Sequence, residues 1–331
     1  MPITPHASVA DDLYRLRDEL IVETANAATL SFDVRRLGIV DIVRGRGSVR
    51  WHIDGVVVTP TAAYSKITTK GRELIIPFDN ETDFGLRVEW PSRLGTFEGV
   101  IGANLRDGDD SVVHGQLNWN RWIGQNIRTD VNVWVNEVVD DTPFLRVIGT
   151  KDKFAVTVLG KITRYDLVRL TADGHLYRTR DGERIAEGYR LDATFEHYLL
   201  RKAPEWSVRL QGSWEGNSLA DHLPPVTQSK YFTETPTMTS IVSPEFGTFG
   251  AGTTVRVGSS EGVIRRPFLV ADAWVGLLSP SNVFAYNTSI GMGMSFLGRD
   301  KLSVNAFHAN TQGGQVNKPY EGVGITYSYL F

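Results

Sequence analysis

The sequence predicts an all-β fold: a transmembrane antiparallel β-barrel of about sixteen strands with a short N-terminal helix. Three observations carry this reading. The chain ends on YEGVGITYSYLF, where Val323, Ile325, Tyr327, Tyr329 and Phe331 alternate with Gly322, Gly324, Thr326 and Ser328, and period-two alternation sends the two sets to opposite faces of a sheet. The same alternation recurs from Ala27 onward, in ATLSFDVRRLG, GSVRWHIDG, NIRTDVNVWVNEV, GYRLDATFEHYLL and EWSVRLQGSWEGN. Finally, with 41% hydrophobic residues the 331-residue chain holds no uninterrupted apolar run near the ~20 residues a spanning helix needs. A barrel passes that test, because only alternate residues meet lipid and the backbone hydrogen bonds close from strand to strand.

The first element is helical. In VADDLYRLRDELIVET (residues 9–24), Leu13, Leu16 and Leu20 stand at helical spacing. Residues 1–26 are therefore read as a linker and helix on the periplasmic side, and 27–331 as the barrel. Strands are expected at 27–37, 47–54, 57–69, 82–90, 95–106, 111–123, 127–137, 143–150, 154–165, 185–201, 206–216, 244–258, 265–278, 283–297, 301–310 and 320–331. An even number suits a bacterial barrel, whose periplasmic turns are short and outer loops longer. Asp54-Gly55, Pro91 to Leu94, Lys151 to Lys153 and Gly298 to Asp300 are placed at periplasmic turns, and the gaps 166–184 and 217–243 at outer loops.

Facing follows from alternation. Ile127, Val131, Val133 and Val135 oppose Arg128, Asp130, Asn132, Trp134 and Asn136. Tyr189, Leu191, Ala193, Phe195 and Leu199 oppose Arg190, Asp192, Thr194, Glu196 and Tyr198. Trp206, Val208, Leu210 and Trp214 oppose Ser207, Arg209, Gln211, Ser213 and Glu215. A soluble sandwich would alternate in the same way. Strand number decides for the barrel, as do the aromatic residues near strand ends, Trp51, Trp90, Trp119, Trp122, Trp206, Trp214, Tyr327, Tyr329 and Phe331, where interfacial girdles belong.

Composition narrows function. There is no cysteine, hence neither disulfide nor thiolate metal site, and a net charge of -3 from 35 basic and 38 acidic residues gives no basic bias toward nucleic acid. The opening MPITPHASVADDLYRL has neither a basic n-region nor an apolar h-region, so the chain is read as part of a larger exported protein.

The helix and first strand LYRLRDELIVETANAATLSFDVRRLG, the Trp-rich hairpins, the loop DHLPPVTQSKYFTETPT and the final YSYLF together resemble the C-terminal outer-membrane porins of exopolysaccharide secretion proteins, the Pel-polysaccharide exporters most of all. The resemblance covers the chain from about Leu13 to Phe331. Members of that group carry periplasmic tetratricopeptide repeats before the barrel, and this sequence has none. The resemblance implies location in the Gram-negative outer membrane and passage of a secreted polysaccharide through the lumen during biofilm matrix formation. It also implies a periplasmic repeat scaffold and an outer-membrane lipoprotein as partners.

On that reading the pore-lining candidates are Arg128, Asp130, Trp134, Arg190, Asp192, Glu196, Tyr198, Arg209 and Glu215. The carboxylates suit a cationic, partly deacetylated polymer; the arginines on the same faces oppose this, and cross-strand ion pairing that only stiffens the wall is the alternative. The loop 217–243 is a candidate plug or gate, with Asp221, Pro224, Pro225, Tyr231, Phe232 and Glu234 as its notable residues. A general diffusion porin is the alternative within the same class, and an outer-membrane hydrolase the rival from another. No serine or histidine falls in a GxSxG or HExxH context, and Asp192 and Glu196 lie about 13 Å apart along one strand, too far for glycosidase chemistry. No catalytic residue, cofactor or metal is therefore expected. Asp79, Asp83, Asp107, Asp109 and Asp110 lie near outer loops without EF-hand spacing and read as solvated turns.

Overall fold

The computed structural model describes residues 24–201, 204–258 and 267–331. They close into one antiparallel barrel of sixteen strands. In order these are β1 (Ala27–Leu37), β2 (Val40–Ile53), β3 (Val56–Thr69), β4 (Glu81–Ser92), β5 (Gly95–Arg106), β6 (Val112–Ile123), β7 (Ile127–Val138), β8 (Gly149–Lys161), β9 (Asp166–Thr179), β10 (Arg184–Leu200), β11 (Glu205–Leu219), β12 (Glu245–Gly258), β13 (Phe268–Ser279), β14 (Val283–Met294), β15 (Asp300–Gln312) and β16 (Gln315–Leu330). Each strand pairs with its sequence neighbours, and β1 closes on β16 in a register running from Ala27↔Leu330 to Leu37↔Tyr320. Three short helices, α1 (Pro143–Ile148), α2 (Pro225–Tyr231) and α3 (Met238–Ile241), sit in connections. The helix expected over 9–24 lies outside the described residues, Thr24 apart.

Directly paired residues share a face of a sheet, so register separates lumen from outside. Asp130 stands opposite Asn120 and Thr157, and Asp192 opposite Thr171 and Ser213. This polar ring faces inward. The alternate positions carry Phe32, Phe84, Ile101, Val113, Leu170 and Leu210, all exposed on the outside. A closed barrel with so apolar an exterior is solvated by lipid, and it sits in the outer membrane. Trp51, Trp90, Trp206, Tyr329 and Phe331 stand exposed near the end where β1 begins and β16 finishes, Trp90 stacked on Phe97 at 5.4 Å. Trp122 departs from the expected girdle: its register with Arg128 turns it to the lumen side, where Lys161 lies over its ring.

The connections sort by end. Where β1 begins and β16 finishes, most connections are short, and Asp54-Gly55 turns with φ of 49° and 80°, the paired positive values that a two-residue hairpin demands. At the opposite end lie the long connections 70–80, 139–148 and 220–244, which makes that end extracellular.

Two sequence expectations fail and offset each other in the strand count. Residues 143–150 are not a strand. They begin with α1, whose N-cap Thr142 accepts a hydrogen bond from Leu145 N at 3.2 Å, whose Pro143 stands where proline starts helices, and whose six residues are all buried. A bulge between Trp134 and Glu137, with Asn136 at φ 53°, ends the regular part of β7 just before the chain turns inward. Residues 166–184 are not an outer loop. They form β9 and the turn into β10, and Lys151 to Lys153 lie inside β8 instead of at a turn. Asp173-Gly174 has the composition of a turn but pairs in mid-strand with Ala155 and Phe154.

Candidate functional site

The lumen wall is built by the inward residues of every strand. Register places Arg128, Asp130 and Trp134 of β7, Arg190, Asp192, Glu196 and Tyr198 of β10, and Arg209 and Glu215 of β11 on the lumen face. Their charges are largely spent on one another. Arg128 bonds Asp130 at 2.8 Å, Arg190 bonds Asp192 at 2.9 Å and lies 4.0 Å from Glu215, and Arg209 grips Asp272 of β13 at 2.6 and 2.9 Å. Glu196 accepts from Ser207 at 2.6 Å. His114 of β6 turns inward to Asp83 at 3.2 Å, while β2 adds Arg44, Arg46 and Arg50 to the same interior. The pairs named cancel one another and leave no acidic field, whereas Arg44, Arg46 and Arg50 add positive charge to the same interior.

The outer mouth is filled. Phe144, Leu145, Val147 and Ile148 of α1 pack with Leu74 and Phe78 of the 70–80 connection and with Leu223, Tyr231, Phe232, Ile241 and Val242 of the 220–244 connection. Burial of this apolar surface inside a polar tube is what holds the connections down. Leu74 bridges Phe232, Ile75 N donates to Tyr231 O at 2.7 Å, and Thr142 donates to Ile241 O at 2.9 Å. Of the loop residues singled out from sequence, Tyr231 and Phe232 are buried in this cap and do not border open lumen; Pro224 is half-buried, and Asp221, Pro225 and Glu234 are exposed.

Two polar latches reinforce the cap; the first has no sign in the sequence, and in the second Asp109, expected as a solvated turn residue, is buried and paired. Glu81 of β4 accepts from Arg146 of α1 at 2.5 and 3.0 Å and from Arg106 of β5 at 2.9 Å, and Arg106 also donates to the carbonyls of Val147 at 2.5 Å and Arg146 at 3.1 Å. Asp109 meets Arg106 at 3.1 Å, Lys230 of α2 at 2.7 Å, and the Tyr231 hydroxyl. Asp110 takes Lys230 at 3.2 Å.

The family model of the PelB C-terminal β-barrel domain matches residues 22–330. The chain belongs to that family. No curated protein matches it. Among solved structures, a bacterial polysaccharide outer membrane secretin superposes with a TM-score of 0.70 at 10% identity, covering 93% of this chain and 99% of that one. CdiB from Acinetobacter baumannii gives 0.48 at 10% identity, covering 92% of this chain and 60% of its own. OccK11 of Pseudomonas aeruginosa gives 0.43 at 8%, covering 93% and 96%.

In this PelB-type barrel the Asp109 latch lies in a connection, and its electrostatics set its pH range. Burial alone would raise the Asp109 pKa, but hydrogen bonds from Lys230, Tyr231, the Asp110 backbone and Arg106 outweigh it and hold the carboxyl below its ordinary value. Burial would likewise lower Lys230, and Asp109 and Asp110 reverse this. A depressed acid stabilises fully above its unfolded pKa of about 3.9 and loses that as pH falls further; a raised lysine stabilises fully below about 10.4 and loses that above. The frequency of channel openings in planar bilayers is therefore expected to stay flat from about pH 5 to 9. Asp109→Asn, which removes the negative charge that Arg106 and Lys230 share and one of its two acceptor oxygens, is expected to raise that frequency about tenfold. An opening frequency in the wild type that climbs within this window would remove Asp109 and Lys230 as the latch.

Proposed function

We propose that this barrel carries a secreted exopolysaccharide of the Pel type across the outer membrane, and that the cap is its gate. The family match over residues 22–330 is the observation that carries this reading. The lumen supports it physically: hydroxyls, amides and internally paired charges offer a hydrated polymer many weak contacts and no deep trap. The superposing secretin is a polysaccharide secretin, and the shared fold extends that chemistry to this chain as a proposal. A periplasmic repeat scaffold would deliver the polymer, and an outer-membrane lipoprotein would complete the exporter. The pairing of Asp130, Asp192 and Glu196 with inward partners argues for a wall that tolerates, without strongly attracting, a cationic polymer. Membership of the family points to transport and away from hydrolysis, and a buried cap is a poor fit to a general diffusion porin.

Liposome swelling tests the proposal. Vesicles bearing the barrel with its cap loop excised are expected to swell in N-acetylglucosamine monomers through hexamers, with rates falling gently with length. Intact barrels are expected to swell slowly in all of them. Swelling in monosaccharides alone, with a sharp cut-off at the dimer, would favour a small-solute porin and end the export reading.

A further inference from the structure

Beneath the cap lies a cavity of about 320 Å³, walled by β9 to β16 and roofed by Leu145, Val242 and Ser243. Trp274 of β13 lines it. The indole lies along the wall because the sequence has cleared a place for it: a Cβ on Gly250 or Gly276 would meet its Cζ2 at 2.8 or 2.7 Å. Gly252, the register partner of Trp274, gives the same room to Arg209, whose Cζ would stand 2.8 Å from a Cβ there. Trp274 is only 8% exposed, and its indole N–H has no hydrogen-bond partner among the described residues. A buried donor left unpaired is uncommon and is relieved by an acceptor brought from outside.

The groups around the indole decide what would fit. Gln211, Asn287, Ser213 and Thr248 supply amides and hydroxyls to the same cavity. Its charged residues are already engaged. Arg209 is held bidentate by Asp272, Arg190 is shared between Asp192 and Glu215, and Asp141 is held by Lys151 at 2.9 Å and Tyr177 at 2.7 Å. What remains on offer is an aromatic surface flanked by neutral hydrogen-bonding groups, which suits an uncharged pyranose: its C–H face packs on the ring and its hydroxyl or acetamido groups reach the amides. A protonated amine or a uronate would find no free counter-charge in these pairs.

We propose that this cavity is a saccharide subsite of the lumen, selective for an uncharged pyranose unit of the passing polymer, with Trp274 as its platform. The proposal rests on the export reading and adds which part of the polymer is held and where. It places the subsite directly under Val242 and Ser243, so that a seated sugar unit abuts the cap segment that must move.

Calorimetric titration of the intact chain in detergent with trimers of N-acetylglucosamine, of glucosamine and of galacturonate tests it. The N-acetylated trimer is expected to bind, with affinity changing less than about twofold between 50 and 500 mM salt, because no net charge is neutralised. The two charged trimers are expected to bind at least about fivefold more weakly. Trp274→Ala is expected to lose at least about tenfold and Trp274→Phe about threefold, with barrel closure checked by heat-modifiable gel migration. Three results would overturn the subsite: a folded Trp274→Ala barrel that binds like wild type, a preference for a charged trimer with steep salt dependence, or no binding of any trimer by the wild type. The swelling assay separates this from export. If the capless barrel passes oligosaccharides while Trp274→Ala binds unchanged, only the subsite falls; if the capless barrel passes none, the export reading falls as well.

Discussion

Replacing residues 219–240 with a short Gly-Ser linker is expected to raise single-channel conductance about tenfold or more, because a barrel of sixteen strands leaves an aqueous channel unless something fills it. Here the filling is the cap. The excised segment carries Leu223, Tyr231, Phe232 and Met238, which form one side of the buried cluster; α1 and the 70–80 connection form the other. Once the first side is gone, Phe144 and Leu145 face water, and the apolar burial that balanced the ordering of these connections is lost. α1 stays tethered through Arg146 and Glu81, so the opened state is expected to flicker between two levels instead of opening once. Adding Leu145→Asp to the deletion is expected to merge those levels into the higher one. Equal conductance of the intact and deleted forms would mean that the lumen is open past the cap, and gating by this loop would have to be abandoned.

The wall is legible in the sequence, and the cap is not. Alternation in NIRTDVNVWVNEV and GYRLDATFEHYLL is a local property, and local periodicity fixes which residues face lipid as soon as a strand exists. That is why β1, β6, β7 and β10 fall close to their expected bounds. β9 alternates as well, with Val168, Leu170, Ala172 and Leu176 outward against Arg169, Thr171, Asp173 and His175 inward, but Asp173-Gly174 at its middle has the composition of a turn and masks the strand. α1 reads as a strand because Phe144, Leu145, Val147 and Ile148 make a short apolar run, which periodicity cannot assign; Thr142-Pro143 is the local sign of a helix start. The latches have no local sign at all. Glu81 finds Arg146 across 65 positions, and Asp109 finds Tyr231 across 122. Only closure of the barrel brings those connections to one mouth. Tyr231 and Phe232 stand out as aromatic residues of a long loop, but nothing in their sequence neighbourhood distinguishes a ring that meets substrate from one that packs beneath a cap.

The Glu81 cluster gives the sharpest test of how α1 is held. Glu81→Ala is expected to leave the barrel closed while freeing α1, with steady trypsin cleavage after Arg146 and a large rise in channel noise. The reason is the asymmetry of buried charge. The side chains of Arg106 and Arg146 are 0% and 3% exposed, and Glu81 is the carboxylate they share; removing one partner of such a cluster strands the others and costs about 3–5 kcal/mol. The wall can absorb this because its strands are paired by ladders that Glu81's side chain does not make, whereas α1 has only six residues and one capped end. Arg106 retains Asp109 and the two α1 carbonyls, so Arg146 becomes the stranded charge, with Asp140 as its remaining carboxylate at 2.9 Å. It follows that Glu81→Leu combined with Arg146→Met should disturb α1 less than Glu81→Leu alone, since the double change removes the buried charge together with its main partner. If the double variant is cleaved as fast as the single one, hydrophobic packing and not the ion cluster fixes α1, and the cap has one latch, at Asp109, in place of two.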